Sequence, residues 1–168
     1  MLCAGKGIGM TEDTGSVARV RAALRAAGHD DRVERFPEGT RSAAEAAAAV
    51  GCEVGQIAKS IVFRAGARPV LAIASGAHRV DIAKLAVAAA MPLKRADAAW
   101  VREVTGFAIG GVAPVGHLTA PVVVLDAALR AWPRLWAAAG SPMHVFATDA
   151  EALALLTGGP FADIAEAA

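Results

Sequence analysis

Cysteine is scarce in this sequence: Cys3 and Cys52 are the two in 168 residues. Two distant thiols, one close to the N-terminus, make no disulfide framework and offer no zinc spacing, so a reducing cytoplasm is the expected setting. Charge of one sign is lacking as well. With 17 basic and 16 acidic residues the net charge is +1, so no strongly basic surface advertises nucleic acid, and DNA is not an expected partner. Long hydrophobic runs are also missing. The apolar share is 55%, yet no run approaches the roughly 20 residues that a membrane span requires. The opening Met1 to Gly9 has one cation and no apolar core, which argues against a signal peptide. Residues 1–14 are expected to be a disordered tail, with Met10 an alternative start, and residues 15–168 to form one domain.

What is present is alanine, glycine turns and short apolar runs. Ser16 reads as an N-cap, followed by Val17, Val20 and Leu24 at helical spacing up to Gly28. Val33 to Phe36 alternates like a short half-exposed strand. Ser42 and Glu45 form a capping box for an alanine-rich helix that Gly51 ends. Ser60–Arg64 and Val70–Ala74 predict a hairpin whose second strand, apolar throughout, is central. Asp81 and Asp97 open two further helices, ended by Pro92 and Gly106. Pro121 to Asp126 is strongly strand-like, and Pro133 splits a helical stretch into short helices around Trp132 and Trp136. Met143 to Phe146 predicts a strand, Thr148-Asp149 a cap, and Phe161 to Ile164 an edge strand. The order has no steady β-α-β rhythm. It predicts an α/β chain of the α+β type, a single domain with helices around a mixed sheet.

Chemistry concentrates in one loop. Gly106 to Ile109 reads as a helix stop and a short apolar strand, and Gly110, Gly111, Pro114 and Gly116 then precede His117. Such a loop is rigid and poor in side chains, so it is either a pocket floor or a tight connection between strands. Lys59 opens an apolar strand, where a lysine either snorkels at the edge or faces a cleft. Gln56 to Ser60 lacks the glycine and the following helix of a phosphate loop. His117 is a pocket donor or a turn residue, and His144 stands at a strand start. No His or Cys pair has metal-ligand spacing, so no metal or other cofactor is expected, and no nucleophile shows a base beside it. From Ser141 onward there are four carboxylates and no Lys or Arg, so a polyanion would dock elsewhere.

Three segments in order carry a resemblance. Gln56 to Phe63, then Ala74-Ser75-Gly76 through Arg79-Val80-Asp81 to Ala86, then Thr105 to His117 resemble the YbaK and prolyl-tRNA editing-domain family of aminoacyl-tRNA deacylases. The resemblance covers nearly the whole chain from about Ser16. It implies a curved mixed sheet holding a pocket for the 3′ end of a mischarged tRNA, and hydrolysis of the aminoacyl ester. It implies Lys59 as the essential side chain and Gly110 to Gly116 as the loop contacting the aminoacyl group. Ser75, Asp81, His117 and His144 are the further substrate-side candidates. The implied substrate is a tRNA, tRNA-Pro or a relative, bearing Ala, Ser, Thr, Cys or 2-aminobutyrate; a synthetase or elongation factor is the implied helper. The competing expectations are a non-catalytic binding module of the same fold and a hydrolase of small esters.

Overall fold

The computed structural model describes residues 15–37, 39–40 and 42–167. The expected N-terminal tail lies outside the described residues. Helix α1 (Ser16–Ala26) comes first, then strand β1 (Glu34–Arg35) and helix α2 (Ala43–Val50). A 3-10 turn (Val54–Gln56) leads into the hairpin β2 (Ile57–Ala65) and β3 (Arg68–Ser75). Helix α3 (Ile82–Ala89), strand β4 (Lys94–Arg95) and helix α4 (Ala98–Thr105) follow. After a long loop come β5 (Val122–Asp126), a 3-10 turn (Ala127–Ala131), β6 (Leu135–Ala138) and β7 (His144–Thr148). Helix α5 (Ala150–Thr157) and β8 (Phe161–Ala162) complete the domain.

The sheet is mixed, in the order β1-β7-β6-β2-β3-β5-β8, with β4 pairing β2 as well. β2 and β3 are antiparallel, whereas β6 runs parallel to β2 and β5 parallel to β3. β3 is flanked on both edges and covered on both faces, which accounts for its unbroken apolar run. One face carries Leu71, Ile73, Leu125 and Phe146 under α1, α5 and Phe107. The other carries Val70, Ala72 and Val124 under Leu85 of α3 and Ile164. A third cluster seats Ala46 and Ala47 of α2 on Ile57, Trp136 and Val145.

The edge of β2 is interrupted. β6 reaches only as far as Ala58, opposite Ala137, and β4 begins opposite Phe63. Among the described residues no strand lies beside Lys59 to Val62 on that edge. Alternate residues there direct their backbone groups outward with no ladder to receive them. That gap is where the cavity forms.

Asp81, Asp97 and Asp149 cap α3, α4 and α5 with their carboxylates, as the spacing predicts. Four expectations change. Ser16 is not a cap: Gly15 occupies that position, and the Ser16 hydroxyl donates to Gly140 O at 2.7 Å, tying α1 to the loop before β7. Ser42 accepts from Glu45 N, but the return half of the capping box is not formed. No strand forms at Phe107 to Ile109. The Phe107 N–H is taken by Thr105 Oγ1 at 3.0 Å, and a turn from Ala108 to Gly111 starts at once, leaving no room for a ladder. The helix expected around Trp136 is β6 instead. Helix propensities differ by at most about 0.7 kcal/mol per ordinary residue, whereas fully burying a side chain such as Leu135 gains about 1.5–3 kcal/mol. Packing wins.

Candidate active site

A cavity of about 530 Å³ opens at the interrupted edge of β2. Lys59, Ser60 and Ile61 form one wall, Ile109 and Gly110 a second, Ser141 and Pro142 a third, and Ala43 and Ala46 of α2 close over Trp136. Lys59 reaches this place because β2 starts at Ile57, two residues earlier, with Lys59 paired to Ala74 in the centre of the sheet. Its ammonium makes no hydrogen bond or ion pair among the described residues. Partial burial, and secondly the charge of Arg79, hold Lys59 below the usual lysine range, while Asp126 pulls it the other way. An under-solvated cation in a cleft attracts an anion or a developing oxyanion.

Gly110 is the loop glycine that lines the same cavity as Lys59. That residue has φ 94, a left-handed conformation suited to glycine, and its N–H has no partner among the described residues. Gly111 serves differently. Its N–H donates to Ala108 O at 2.9 Å, so it is not free to hold a ligand. A Cβ there would lie 2.6 Å from Ser141 Cα. Gly111 therefore lets two backbone segments of the cavity wall touch.

The rest of the loop turns away from the cavity. Pro114 is buried, and Gly116 packs on the backbone of α1 at Arg19 and Val20. His117 Nε2 meets Ala113 O at 2.6 Å and its ring stands edge-on to Phe107. Burial pushes the His117 imidazole below its ordinary value, Arg19 adds to that, and the Ala113 carbonyl opposes it. None of these three residues lines the cavity, whereas Lys59 and Gly110 do.

Arg19 fixes this half of the loop. Its Nε donates to Gly116 O at 3.1 Å and its Nη2 to Gly106 O at 3.0 Å, with the guanidinium 5.1 Å from the Phe107 ring centroid. Arg19→Met is expected to lower the unfolding free energy by about 2 kcal/mol, because charge-assisted bonds to two carbonyls are lost. Denaturant titration checks it; an unchanged midpoint would mean that the loop holds itself.

Ser75 and Asp81 are not among the residues that line the cavity. Ser75 Oγ donates to Gly55 O at 2.9 Å, and its N–H donates to the buried carboxylate of Asp126 at 3.1 Å. Asp81 Oδ1 accepts from Ala83 N at 2.9 Å and Lys84 N at 3.1 Å as the α3 cap. His144 is buried at the start of β7, and its Nδ1 lies 2.6 Å from Ser141 Oγ, which also accepts from Met143 N at 3.0 Å. This corrects the expectation that no hydroxyl has a base beside it. The pair was hidden because Ser141 stands in a turn and His144 on a strand, a spacing with no motif. Ser60 and Ile109 fall inside segments that carry the resemblance, but neither they nor Ser141 and Pro142 stood out as site residues in the sequence.

The chain is thus an α/β domain with a mixed sheet whose open edge borders a cavity lined by a lysine and a glycine turn. Residues 37–156 match the aminoacyl-tRNA editing domain, and the chain belongs to that family. It is similar to the uncharacterized protein YwhH of Bacillus subtilis (strain 168), 30% identical over 127 residues, which span 75% of this chain and 81% of the relative. It also resembles the crystal structure of a candidate trans-editing enzyme for prolyl-tRNA synthetase. That match has TM-score 0.86 and 44% identity over 92% of this chain and 99% of the other. The hypothetical protein APE2540 matches with TM-score 0.81 and 28% identity, over 88% of this chain and 99% of the other. Among the described residues no helix is long and apolar enough to cross a membrane.

Proposed function

We propose that this protein deacylates tRNA mischarged with a small amino acid, of the class Ala, Ser, Thr, Cys or 2-aminobutyrate, on tRNA-Pro or a related tRNA. The observation that carries the reading is the meeting of Lys59 and Gly110 across one cavity in a member of the aminoacyl-tRNA editing family. An aminoacyl ester is already activated, so orientation and charge stabilisation can suffice without a covalent intermediate. Lys59 anchors the terminal nucleotide or meets the negative charge growing on the carbonyl oxygen, and the Gly110 N–H donates to that oxygen. Water adds to the carbonyl carbon and the bond to the ribose oxygen breaks. The water's proton passes to that oxygen, with the neighbouring 2′-OH or a second water as relay.

Rejection of larger amino acids is steric. One methylene separates substrates by only about 1–3 kcal/mol, so several small residues share the site. The net charge of +1 provides little general attraction for tRNA phosphates, which favours delivery by a synthetase or an elongation factor. Incubation with tRNAs carrying each of the five amino acids tests the proposal, and turnover of at least one is expected. A folded protein that hydrolyses none would be a binding module of the same fold.

A further inference from the structure

A second, smaller chamber of about 200 Å³ adjoins the main cavity behind Gly110. The two share Ser60, Ile61, Ile109, Gly110 and Val112, so one wall of strand and glycine turn divides them. The smaller chamber is walled by Val62, Phe63, Ala96 and Val101, with Arg95 also on its lining. It is therefore apolar apart from Ser60 and Arg95. Ser60 Oγ is buried and has no hydrogen-bond partner among the described residues. A buried hydroxyl without a partner bears its full desolvation cost, and serine can both donate and accept once a partner arrives. No described residue supplies one, although Ser60 sits beside Lys59 on the open edge of β2.

We infer that the small chamber receives the side chain of the amino acid and that Ser60 makes the site prefer a β-hydroxyl side chain, serine or threonine, over alanine or 2-aminobutyrate. This rests on the deacylase reading above. With the ester across Gly110 and the terminal nucleotide in the larger cavity near Lys59, the shared wall is the point from which a side chain would enter the smaller one. A methyl group would leave Ser60 orphaned. A substrate hydroxyl would pair with it after rotation of the Ser60 side chain between staggered positions. The preference thus comes from a partner satisfied in one complex and left bare in the other.

The test compares kcat/KM for seryl- with alanyl-tRNA, and for threonyl- with 2-aminobutyryl-tRNA, in the wild type, Ser60→Ala and Ser60→Thr. The wild type is expected to favour the hydroxylated member of each pair by about tenfold, the worth of one net hydrogen bond. Ser60→Ala is expected to remove most of that ratio, and Ser60→Thr to retain it. Thermal melting of Ser60→Ala at or above the wild-type temperature would show that the lost preference is not lost folding. Equal rates within each pair in the wild type would overturn the inference and leave the deacylase reading standing. So would an unchanged ratio in Ser60→Ala. No turnover of any of the four by folded wild type would overturn both.

Discussion

Lys59→Ala is expected to slow deacylation of the best mischarged tRNA by about a thousandfold, the upper range for removing a preorganised charge-stabilising group. The reason is geometric. Lys59 lines the same cavity as Gly110, and it makes no ion pair among the described residues that would give it a structural task. Single-turnover assays read the effect, and near wild-type rates would remove Lys59 from the mechanism. The fold should survive. Burial lowers the Lys59 pKa in the native protein, so below that value the folded chain holds a proton on Lys59 at a cost. As pH rises from the folded pKa to the ordinary lysine value, the unfolded chain binds more protons and stability increases. Replacing Lys59 with methionine removes that cost, so Lys59→Met should melt no lower than the wild type at neutral pH. The same shift makes wild-type activity decline at a lower alkaline pH than an unperturbed lysine would give, if the cationic form is the active one.

Gly111→Ala is expected to damage both stability and catalysis. Its Cβ would meet Ser141 Cα at 2.6 Å and Ser141 C at 2.9 Å, backbone atoms that cannot swing aside as a flexible side chain would. Overpacking of this kind costs about 1–3 kcal/mol. The strain falls on two adjoining segments of the cavity wall. Misplacing a reacting group by about 1 Å can cost about a hundredfold in rate, and that loss is expected in kcat beyond any change in folded fraction. Gly110→Ala is the contrasting case. There the added Cβ has space, its nearest neighbour being Pro142 Cγ at 3.8 Å, and the penalty comes from φ 94 alone. Wild-type activity and melting temperature in Gly111→Ala would show that the walls can separate freely.

Much of the local structure was legible residue by residue. Asp81, Asp97 and Asp149 cap their helices, and Gly51 and Gly106 end theirs in left-handed conformations, because capping and turn chemistry act over three or four residues. The apolar run of β3 announced a central strand. Lys59 and the glycine loop were visible as unusual chemistry, yet nothing local showed that they meet. Trp136 misled because strand or helix there is decided by what Leu135 and Trp136 bury against, not by propensity. His117 and Gly116 looked continuous with Gly110. They separate because the chain turns at Gly111 and runs under α1, where Arg19 takes the carbonyls of Gly106 and Gly116.

The mixed α/β class, the aspartate caps, the central strand β3 and the chemistry of Lys59 and the glycine loop were readable from the residues alone, whereas the states of Trp136 and of Phe107 to Ile109 were not. The tertiary structure alone decided that β6 and β4 leave the edge of β2 open between Ala58 and Phe63, and that Gly110 rather than Gly111 or His117 lines the cavity with Lys59. Caps and turns are short-range contacts written into neighbouring residues. A gap in a sheet is a property of where three distant strands begin and end, and only their packing sets that.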